Sequence, residues 1–550
     1  MKQDATILIV DDDKSSIKLI TKMLNKNGYA IDSCLTGEEA LEKVKRIEYD
    51  LVLLDVKLGK GIDGYEVCRR ILHIKNDLPI ILVTAHHDDD SINKGFLIGS
   101  SDYIKKPISQ LELLARVNKT INFKRSERRN LQLIYDLSKN IETAASIQEA
   151  MLPKWIYLDR NMIFSSHYEP YEAVGGDLFD RIKISDDLYV VYMGDISGHG
   201  VQAALLMTAV KSIIKIMVEN DRDNVDLPRL VTKLNERLSN ELFIFDNYLT
   251  LLIGIIDLKK NEFRYMNAGH PPVVVIDTKS GAATAMESTG SLPLGWLPNQ
   301  VYYNDDMGAI PINEQNIILL FSDGIYECVN KNGTQFGIAG VLNTLRHEIK
   351  VDSCISLPYR IKQYLVDHKY NISFDDFTLF AFQKRKNQEH IINDANCKEI
   401  RPAHYMTTLQ AALKEVGKTA IQCEDIVMQS TCNKTLAAKV ELIIDEFLSN
   451  IIKYGYNYSE DAAVVVEFSI HDRNLKIKFW DKGIYWTPEE NHYSIDNPYN
   501  FDKDVYNTDG RGVKIIMSMS NKFHRTRYDK LNETTVDIEI TEDLDEENPD

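Results

Sequence analysis

Short, wholly apolar runs alternate with amphipathic helical segments over the first 122 residues of the chain. The runs are ILIV at 7–10, LVLL at 51–54 and IILVT at 80–84. An uninterrupted apolar run of this length is typical of a parallel strand that helices bury on both faces. The pattern therefore predicts a doubly wound α/β domain over residues 1–122.

A polar helical segment without Gly or Pro follows at 123–153, and Pro153 ends it. Six of its residues are spaced alternately by three and four, which places them along one seam of a helix. They are Ile134, Leu137, Ile141, Ala144, Gln148 and Met151. Two interpretations are open: the seam packs against its own domain, or it pairs with a second copy in a coiled coil that makes a homodimer.

The remainder of the chain divides into two further domains. Residues 154–385 mix alternating strands with turn signals, and the polar stretch 386–402 is predicted to be a linker. Residues 403–542 are predicted to form a final α+β unit, and the acidic tail 543–550 is expected to be disordered.

Composition narrows the class of protein. A chain of 550 residues is too long for one hydrophobic core, so three or four domains are expected. The net charge of −18 argues against a nucleic-acid partner, because such binding needs Lys and Arg to neutralise phosphates. Seven scattered cysteines without a C-x-x-C pair predict neither a zinc site nor a disulfide framework. The start lacks a signal peptide, and no run of 18 apolar residues occurs, so we expect no membrane span and a cytoplasmic location.

Acidic side chains follow two of the predicted strands of the first domain. Asp11 and Asp12 come directly after the first strand, and Asp55 follows the third. Because the carboxyl ends of parallel strands open into one crevice, these carboxylates are expected to converge, and Mg²⁺ prefers such oxygen ligands. Thr84 and Lys106 end the fourth and fifth strands, where a hydroxyl and an ammonium can hold phosphoryl oxygens.

On these residues the first domain resembles the two-component receiver family, over residues 5–122. The resemblance implies that Asp55 accepts a phosphoryl group from an upstream histidine kinase, and that Tyr103 is the aromatic switch residue. The Mg²⁺ ligands that it implies are Asp11, Asp12 and Asp55. One departure is DVKLGKGIDG at 55–64, which is a residue longer than the family's loop and lacks its Pro.

Five short segments of the middle domain place Asp or His beside Gly, or Asp before an apolar strand. They are VGGD (174–177), GDISGHG (194–200), NAGHPP (267–272), FSDGIYE (321–327) and DDFTLF (375–380). Gly neighbours let the backbone approach closely. Should the fold gather Asp177, Asp195, Asp323 and Asp375, four carboxylates make a two-metal site, which can activate a water for attack on a phosphate ester.

In this order the segments resemble the bacterial stress-response (SpoIIE-type) branch of the PP2C-like serine phosphatases, over residues 150–383. The resemblance implies an α/β/β/α sandwich, two Mn²⁺ or Mg²⁺ ions, and a phosphoserine or phosphothreonine substrate in a small protein. By resemblance Asp195 bridges both ions and Ile196 offers its backbone carbonyl. The remaining ligands implied are Asp177, Asp323 and Asp375, with Asp376 as an alternative to Asp375.

Four neighbouring residues have both a chemical and a structural interpretation. His199 and His270 are candidate general acids, although a histidine beside glycine equally well packs or caps a turn. Asp180 and Glu327 are interpreted as supporting or purely structural.

The third domain carries a second set of motifs. The helix at 439–456 has Glu446 and Asn450 one turn apart, where the amide can ligate Mg²⁺ and the carboxylate can accept a hydroxyl proton. WDKG at 480–483 follows a strand, and its Asp481 can bind an adenine amino group. DGRGVKIIMSM at 509–519 precedes a helix whose N-terminus suits phosphates.

This order of motifs resembles the GHKL ATPases, and among them the anti-sigma-factor serine kinases, over residues 405–542. The resemblance implies ATP with Mg²⁺ at Asn450 and a catalytic Glu446. The further nucleotide contacts that it implies are Asp481, Gly483, Gly510, Gly512 and Thr535. Departures are Tyr485, in place of a second Gly, and Lys453 on the Asn450 helix. A histidine kinase is rejected, because no acidic residue follows His404 and too few residues separate it from Asn450.

Together these resemblances predict a partner-switching regulator. Its third domain phosphorylates a serine on a small STAS-type anti-sigma antagonist, its phosphatase removes that phosphate, and phosphorylation of Asp55 selects between them. The alternative is a response regulator in which only the phosphatase is an enzyme. The third domain would then be a nucleotide-dependent module that sequesters an antagonist, an anti-sigma factor or a sigma factor.

Overall fold

The computed structural model of the protein forms two compact units, Met1–Asn140 and Ile141–Asp550. The residues that it describes are 5–59, 61–85, 97–222, 225–241, 247–286, 291–386, 400–410, 412–459, 463–486 and 511–540. The predicted multidomain architecture is confirmed: a doubly wound domain, a long helix, a two-sheet sandwich and a further sheet domain follow one another.

The first unit contains a five-stranded parallel sheet in the order β2-β1-β3-β4-β5. Its strands are β1 (Thr6–Val10), β2 (Ala30–Cys34), β3 (Leu51–Asp55), β4 (Ile80–Thr84) and β5 (Asp102–Lys105). Its first helices are α1 (Lys14–Asn25), α2 (Gly37–Arg46) and α3 (Gly64–Ile74), whose N-caps are Asp13, Thr36 and Asp63. Separate apolar clusters cover the two faces of the sheet, which is why its strands are apolar throughout.

One uninterrupted helix, α4 (Gln110–Met151), continues from the last helix of the first domain through the predicted linker. The sequence interpretation placed a separate linker helix from residue 123, whereas the structure has a single helix of 42 residues. The boundary between the two units falls inside α4. The predicted seam differs along its length, since Ile134 and Leu137 are 62% and 60% exposed while Gln148 is buried.

The middle domain is a sandwich of two antiparallel sheets, with strand orders β14-β11-β10-β9-β8 and β13-β12-β15-β16-β7-β6. The strands of the first sheet are β8 (Leu178–Lys183), β9 (Leu188–Ile196), β10 (Leu249–Asp257), β11 (Glu262–Ala268) and β14 (Met307–Pro311). Those of the second are β6 (Ile156–Leu158), β7 (Met162–Glu169), β12 (Val274–Asp277), β13 (Ala283–Ala285), β15 (Asn316–Phe321) and β16 (Phe377–Lys384). An aromatic-rich core that includes Phe164, Phe263 and Phe382 lies between the two sheets.

Helices cover both outer faces of the sandwich, which completes the predicted α/β/β/α order. They are α5 (Gly200–Asn220), α6 (Leu227–Glu241), α7 (Asp323–Tyr326), α8 (Gly337–Asn343), a π-helical turn (Thr344–Glu348) and α9 (Leu357–Asp367), with a 3₁₀ turn at Asn304–Asp306. By length and composition alone α5 could cross a membrane. In the structure its apolar side, including Met207, Val210 and Ile214, packs into the core beneath the first sheet.

The third domain has one sheet in the order β17-β18-β19-β21-β20. Its strands are β17 (Ala403–Gln410), β18 (Ala463–His471), β19 (Asn474–Asp481), β20 (Lys522–Tyr528) and β21 (Leu531–Glu539). Its helices are α10 (Leu413–Thr431), α11 (Lys434–Asn450), a π-helical turn (Ile451–Gly455) and α12 (Arg511–Met519). The helices pack on one face of the sheet.

The other face of this sheet packs against the middle domain. Met406, Val465, Trp480 and Leu531 share an apolar cluster with side chains of α9 and the second sheet of the sandwich. The two domains therefore share one hydrophobic core within the second unit.

Among the cysteines that the structure describes, one differs from the sequence expectation. Cys432, directly after α10, forms a disulfide bond, whereas the buried Cys34, Cys68, Cys328, Cys354 and Cys423 are free, as predicted.

Candidate functional site

Three carboxylates meet at the carboxyl end of the parallel sheet, as the sequence predicts. Asp11, Asp12 and Asp55 each offer an oxygen, and these oxygens lie within 4.8 Å of one another. Lys106 Nζ lies 2.5 Å from Asp55 and 3.0 Å from Asp11. Burial raises the pKa of Asp55, while the Lys106 ammonium opposes that shift. This arrangement suits a divalent cation beside a carboxylate that can be phosphorylated.

The other two predicted residues of this domain lie on neighbouring strands. Thr84 is buried at the last position of β4, and β4 pairs with β5, which carries Tyr103. The Tyr103 ring is half-buried, and the guanidinium of Arg116 lies 5.3 Å from its centroid.

In the middle domain Asp177 is completely buried and lacks a partner for one oxygen. Thr378 donates a hydrogen bond to Asp177 Oδ2, whereas no hydrogen bond reaches Oδ1. Burial raises the pKa of Asp177 well above its ordinary value, and the charges of Asp195 and Asp376 raise it further. A bound cation would supply the missing partner of this buried oxygen and would offset the repulsion between the neighbouring carboxylates.

Asp195 and Asp323 share this environment. Burial and the charges of Asp323 and Asp375 raise the pKa of Asp195 well above its usual range. Burial, with Asp375 and Glu327, raises the pKa of Asp323 to about 6. The four predicted carboxylates therefore lie close enough to act on one another's charge.

The backbone at Gly176, directly before Asp177, closely approaches Ile196 and Asp195. A Cβ on Gly176 would lie 3.0 Å from the carbonyl oxygen of Ile196 and 3.4 Å from Asp195 Oδ1. The Ile196 carbonyl thus lies beside the carboxylates, as the resemblance implies.

The carboxylates of the middle domain do not form as tight a group of three as those of the first domain. Within the described ranges, a group of three acidic side chains whose oxygens all lie within 4.8 Å occurs at Asp11, Asp12 and Asp55 alone. The two-metal site of the middle domain therefore stays a prediction, which rests on the burial and mutual charge effects of its carboxylates.

Asp375 and Asp376 have different surroundings, which separates the two alternatives left by the sequence. Asp376 accepts hydrogen bonds from the backbone N–H groups of Tyr171 (2.8 Å), Gly176 (2.6 Å) and Asp177 (3.2 Å). Both of its oxygens are therefore used to hold the loop that carries Asp177. Asp375 is half-buried and accepts one hydrogen bond, from the N–H of Asp376 at 2.8 Å.

The structure adds one residue that the sequence interpretation did not assign to the site. Gln148 of α4 is buried, and its amide forms two hydrogen bonds with the backbone of Gly175. The available signal was a polar residue within the otherwise largely apolar seam of α4. Such a residue inside an apolar seam points to a specific partner.

The structure gives different surroundings to the two candidate histidines and to Asp180. Burial lowers the pKa of His270 to about 3, so its imidazole is neutral, and it contacts Thr250 at 3.0 Å. His199 is exposed and lies 3.3 Å from Glu172. Asp180 pairs with the buried Lys211 at 2.9 Å, which is a structural contact.

In the third domain the predicted nucleotide residues are only partly brought together. Glu446 and Asn450 are half-buried on α11, and Asp481 is fully buried at the end of β19. Gly483 follows Asp481 directly and donates its N–H to that carboxylate at 2.9 Å. Gly510 lies outside the described residues, and Gly512 is in the first turn of α12.

The sheet register places Thr535 opposite Lys478, whereas Thr534 pairs with Phe479 of the helix-facing core. Because side chains alternate along a strand, Thr535 faces away from the side of the sheet that carries Asp481. Thr535 therefore does not share a face of the sheet with Asp481, contrary to the predicted adenine contact. Thr534 lies on the Asp481 face instead.

Comparison with known proteins agrees with this geometry. The model of the response regulator receiver domain matches residues 7–118. The alkaline phosphatase synthesis transcriptional regulatory protein PhoP of Bacillus subtilis is 39% identical over 230 residues, which are 40% of this chain and 88% of PhoP. The chain belongs to the response regulators.

The other two domains of this response regulator also match family models. Residues 185–385 match stage II sporulation protein E (SpoIIE), and residues 409–538 match the histidine kinase-like ATPase domain. The chain thus combines a receiver, a PP2C-like serine/threonine phosphatase domain and a GHKL-type domain.

Longer relatives match this response regulator at lower identity. Protein IcfG of a Synechocystis strain is 24% identical over 400 residues, which are 68% of this chain and 58% of IcfG. The RsbU and RsbW domains of Rv1364c from Mycobacterium tuberculosis are 19% identical, over 69% of this chain and 93% of that one, with a TM-score of 0.36. The chain spans about half the length of several curated relatives that it matches.

Proposed function

We propose that this response regulator is a partner-switching regulator that removes phosphate from a serine of a small STAS-type anti-sigma antagonist. The proposal rests on the three matched domains and on one observation above all. That observation is the buried, unpartnered oxygen of Asp177 beside three further carboxylates.

The residues of the phosphatase site fit a pair of divalent cations, Mn²⁺ or Mg²⁺. In this proposal Asp195 would serve both ions, and the other groups that would hold them are Asp177, the Ile196 carbonyl, Asp323 and Asp375. Bound there, the ions supply a nucleophilic water and neutralise charge on the phosphate. Asp376 holds the Asp177 loop in place through three backbone N–H groups. Neutral His270 keeps its fold-supporting contact with Thr250.

Loss of Asp195 tests the phosphatase proposal. Asp195→Ala should abolish Mn²⁺- or Mg²⁺-dependent phosphate release from the phosphorylated antagonist, whereas Asp186→Ala, at an exposed site on the same domain, should leave it unchanged. Retained activity in Asp195→Ala would remove the proposed metal assignment.

The receiver is proposed to control this activity. An upstream histidine kinase would phosphorylate Asp55, with Mg²⁺ held by Asp11, Asp12 and Asp55 and the phosphoryl oxygens contacted by Thr84 and Lys106. The added charge biases the receiver surface between two states. We expect a small-molecule phosphoryl donor to raise the phosphatase rate of the wild-type chain and to have no effect on Asp55→Asn. An equal response in both proteins would contradict control through Asp55.

The third domain is proposed to phosphorylate the same antagonist. Glu446 would accept the hydroxyl proton of the serine, and Asn450 would hold Mg²⁺ with ATP. Wild-type protein, ATP, Mg²⁺ and the antagonist should then give phosphoserine, and Glu446→Gln should not. Asp445→Asn, which neutralises the exposed neighbouring residue, serves as the matched control.

A second candidate function treats the third domain as a binding module that sequesters an antagonist, an anti-sigma factor or a sigma factor. The observation that counts against kinase activity is the internal pairing of Asp481, whose carboxylate is fully buried and bonded to protein groups. Absence of phosphoryl transfer by the wild-type chain, together with antagonist binding, would support this candidate over the kinase.

A homodimer through α4 is part of the proposal. Ile134 and Leu137 lie three residues apart on α4, and both side chains are more than half exposed. Replacing both with Glu should convert a dimer to a monomer in sedimentation experiments, and an unchanged mass would contradict the pairing.

A further inference from the structure

The carboxylate of Asp481 is surrounded by donors from its own domain. Oδ1 accepts hydrogen bonds from the N–H of Gly483 at 2.9 Å and from Asn532 Nδ2 at 2.7 Å. Oδ2 accepts a hydrogen bond from Arg525 Nη2 at 3.1 Å. As they stand, these residues do not offer Asp481 to a purine base.

Arg525 fills the space between Asp481 and the Asn450 helix. Its Nη1 donates to Thr534 Oγ1 at 2.6 Å, and its side chain is 1% exposed. The guanidinium lies 5.6 Å from the ring of Phe447, which is three residues before Asn450 on α11. The ring of Trp486 covers it at 4.6 Å. A cation stacked between aromatic rings and paired with a carboxylate is held firmly.

The loop that carries Asp481 is anchored on its other side. Lys482 Nζ lies 4.9 Å from the ring of Tyr359 and 5.3 Å from that of Trp155, both in the phosphatase domain. Gly483 approaches the backbone of Gly455 so closely that a Cβ there would lie 2.8 Å from the Gly455 Cα. With the loop held on both sides, displacement of Arg525 would free Oδ2 of Asp481, while Gly483 and Asn532 keep their hydrogen bonds to Oδ1.

We propose that Arg525 is an internal competitor for the base-binding carboxylate, so that an adenine nucleotide and the Arg525–Asp481 pair exclude each other. The inference rests on the proposed nucleotide site of the third domain. Binding then requires that a buried ion pair opens, which is costly because it leaves a desolvated guanidinium without its carboxylate. Competition by Arg525 therefore lowers the nucleotide affinity of the wild-type chain. Because Arg525 lies on β20, nucleotide binding is also coupled to movement of that strand.

Calorimetric titration of the full chain with the β,γ-imido analogue of ATP and Mg²⁺ tests this competition. Arg525→Gln should bind the analogue at least about tenfold more tightly than wild type, a difference of about 1.4 kcal/mol. Lys522→Gln removes an exposed charge from the same strand and should bind as wild type does. If the wild-type chain binds the analogue and Arg525→Gln binds it equally or more weakly, the inference is overturned but the proposed nucleotide site stands. Absence of binding in both would overturn the nucleotide site as well.

Thermal melting provides a second test that does not need the Arg525 variant to fold. Asp481→Asn removes the charge that neutralises Arg525 and should lower the melting temperature well below that of Asp537→Asn. Asp537 is partly exposed and pairs with Lys476 at 3.5 Å on the same sheet, which makes it the matched control. Equal melting temperatures for the two variants would show that Asp481 is not held by Arg525, and would overturn the inference.

Discussion

Gln148 and Gly175 are joined by a pair of hydrogen bonds that links α4 to the phosphatase site. Gln148 Nε2 donates to the Gly175 carbonyl at 2.7 Å, and the Gly175 N–H donates to Gln148 Oε1 at 3.1 Å. Gly175 lies two residues before Asp177, and a Cβ at Gly175 would collide with the Asp376 carboxylate. The position of one side chain on α4 is thereby connected to the loop that carries Asp177.

Truncating Gln148 should weaken cation binding at the phosphatase site. Gln148→Ala leaves the buried N–H and carbonyl of Gly175 without partners, which costs about 1–3 kcal/mol for each such group. We expect a tenfold to hundredfold increase, to order of magnitude, in the Mn²⁺ concentration needed for half-maximal phosphatase activity.

The matched control for this prediction is Gln132→Ala, which truncates an exposed glutamine of the same helix. Its Mn²⁺ requirement should equal that of the wild-type chain. A Gln148→Ala protein with wild-type Mn²⁺ dependence would show that the contact with Gly175 does not position the site.

Asp375 and Asp376 should fail in different ways. Asp376→Ala removes the acceptor of three backbone N–H groups and should lower the metal-free melting temperature, because buried donors are left unpaired. Asp375→Ala should leave that temperature nearly unchanged while raising the Mn²⁺ requirement. Metal-free melting curves and Mn²⁺ titrations of activity measure the two effects. Identical behaviour of both variants would contradict the division of roles.

The stability of the metal-free protein should fall as the pH rises through the range in which Asp323 ionises. Its pKa is raised from 3.8 to about 6, so the folded state holds a proton that the unfolded state has lost. The free energy of unfolding therefore decreases between about pH 4 and about pH 6, and the loss persists above that range.

Divalent cations should reverse this loss, because they bind the ionised carboxylates. We expect Mn²⁺ to raise the melting temperature more at about pH 7.5 than at about pH 5. Asp323→Asn should reduce both the pH dependence and the effect of Mn²⁺. Equal stabilisation by Mn²⁺ at both pH values would contradict the assignment.

The ion pair between Arg360 and Glu533 should hold the phosphatase and GHKL-type domains together. Arg360 Nη2 lies 3.0 and 2.8 Å from the two Glu533 oxygens, and Trp480 Nε1 donates to Glu533 at 3.2 Å. Glu533→Gln leaves the largely buried guanidinium with the more distant Asp352, 3.8 Å from Nη2, as its carboxylate partner, which should destabilise the interface by about 1–3 kcal/mol. Calorimetry should then resolve separate unfolding transitions for the two domains, and a single unchanged transition would contradict the prediction.

Several features of the fold and sites could be predicted from local patterns. The apolar runs at 7–10, 51–54 and 80–84 became β1, β3 and β4 of a buried parallel sheet, because burial on both faces leaves little room for polar residues. The meeting of Asp11 and Asp55 followed from the geometry of parallel strands.

Other features depend on contacts between distant segments and were not predictable in this way. The sequence left Asp375 and Asp376 equivalent, and only the approach of the Gly176 loop gave Asp376 its structural role. The sequence interpretation chose Thr535, while the register of β21 against β19 places Thr534 on the side of Asp481, since a shift of one residue exchanges the faces of a strand.

The sequence by itself determined which domains this chain contains, because hydrophobic periodicity and glycine-flanked aspartates are local properties that survive without coordinates. The tertiary structure alone decided which side chains pair, as with Gln148 and Gly175 or Arg525 and Asp481. Those pairings join residues that are 27 and 44 positions apart. Their partners are chosen by sheet register and packing, which no local pattern encodes.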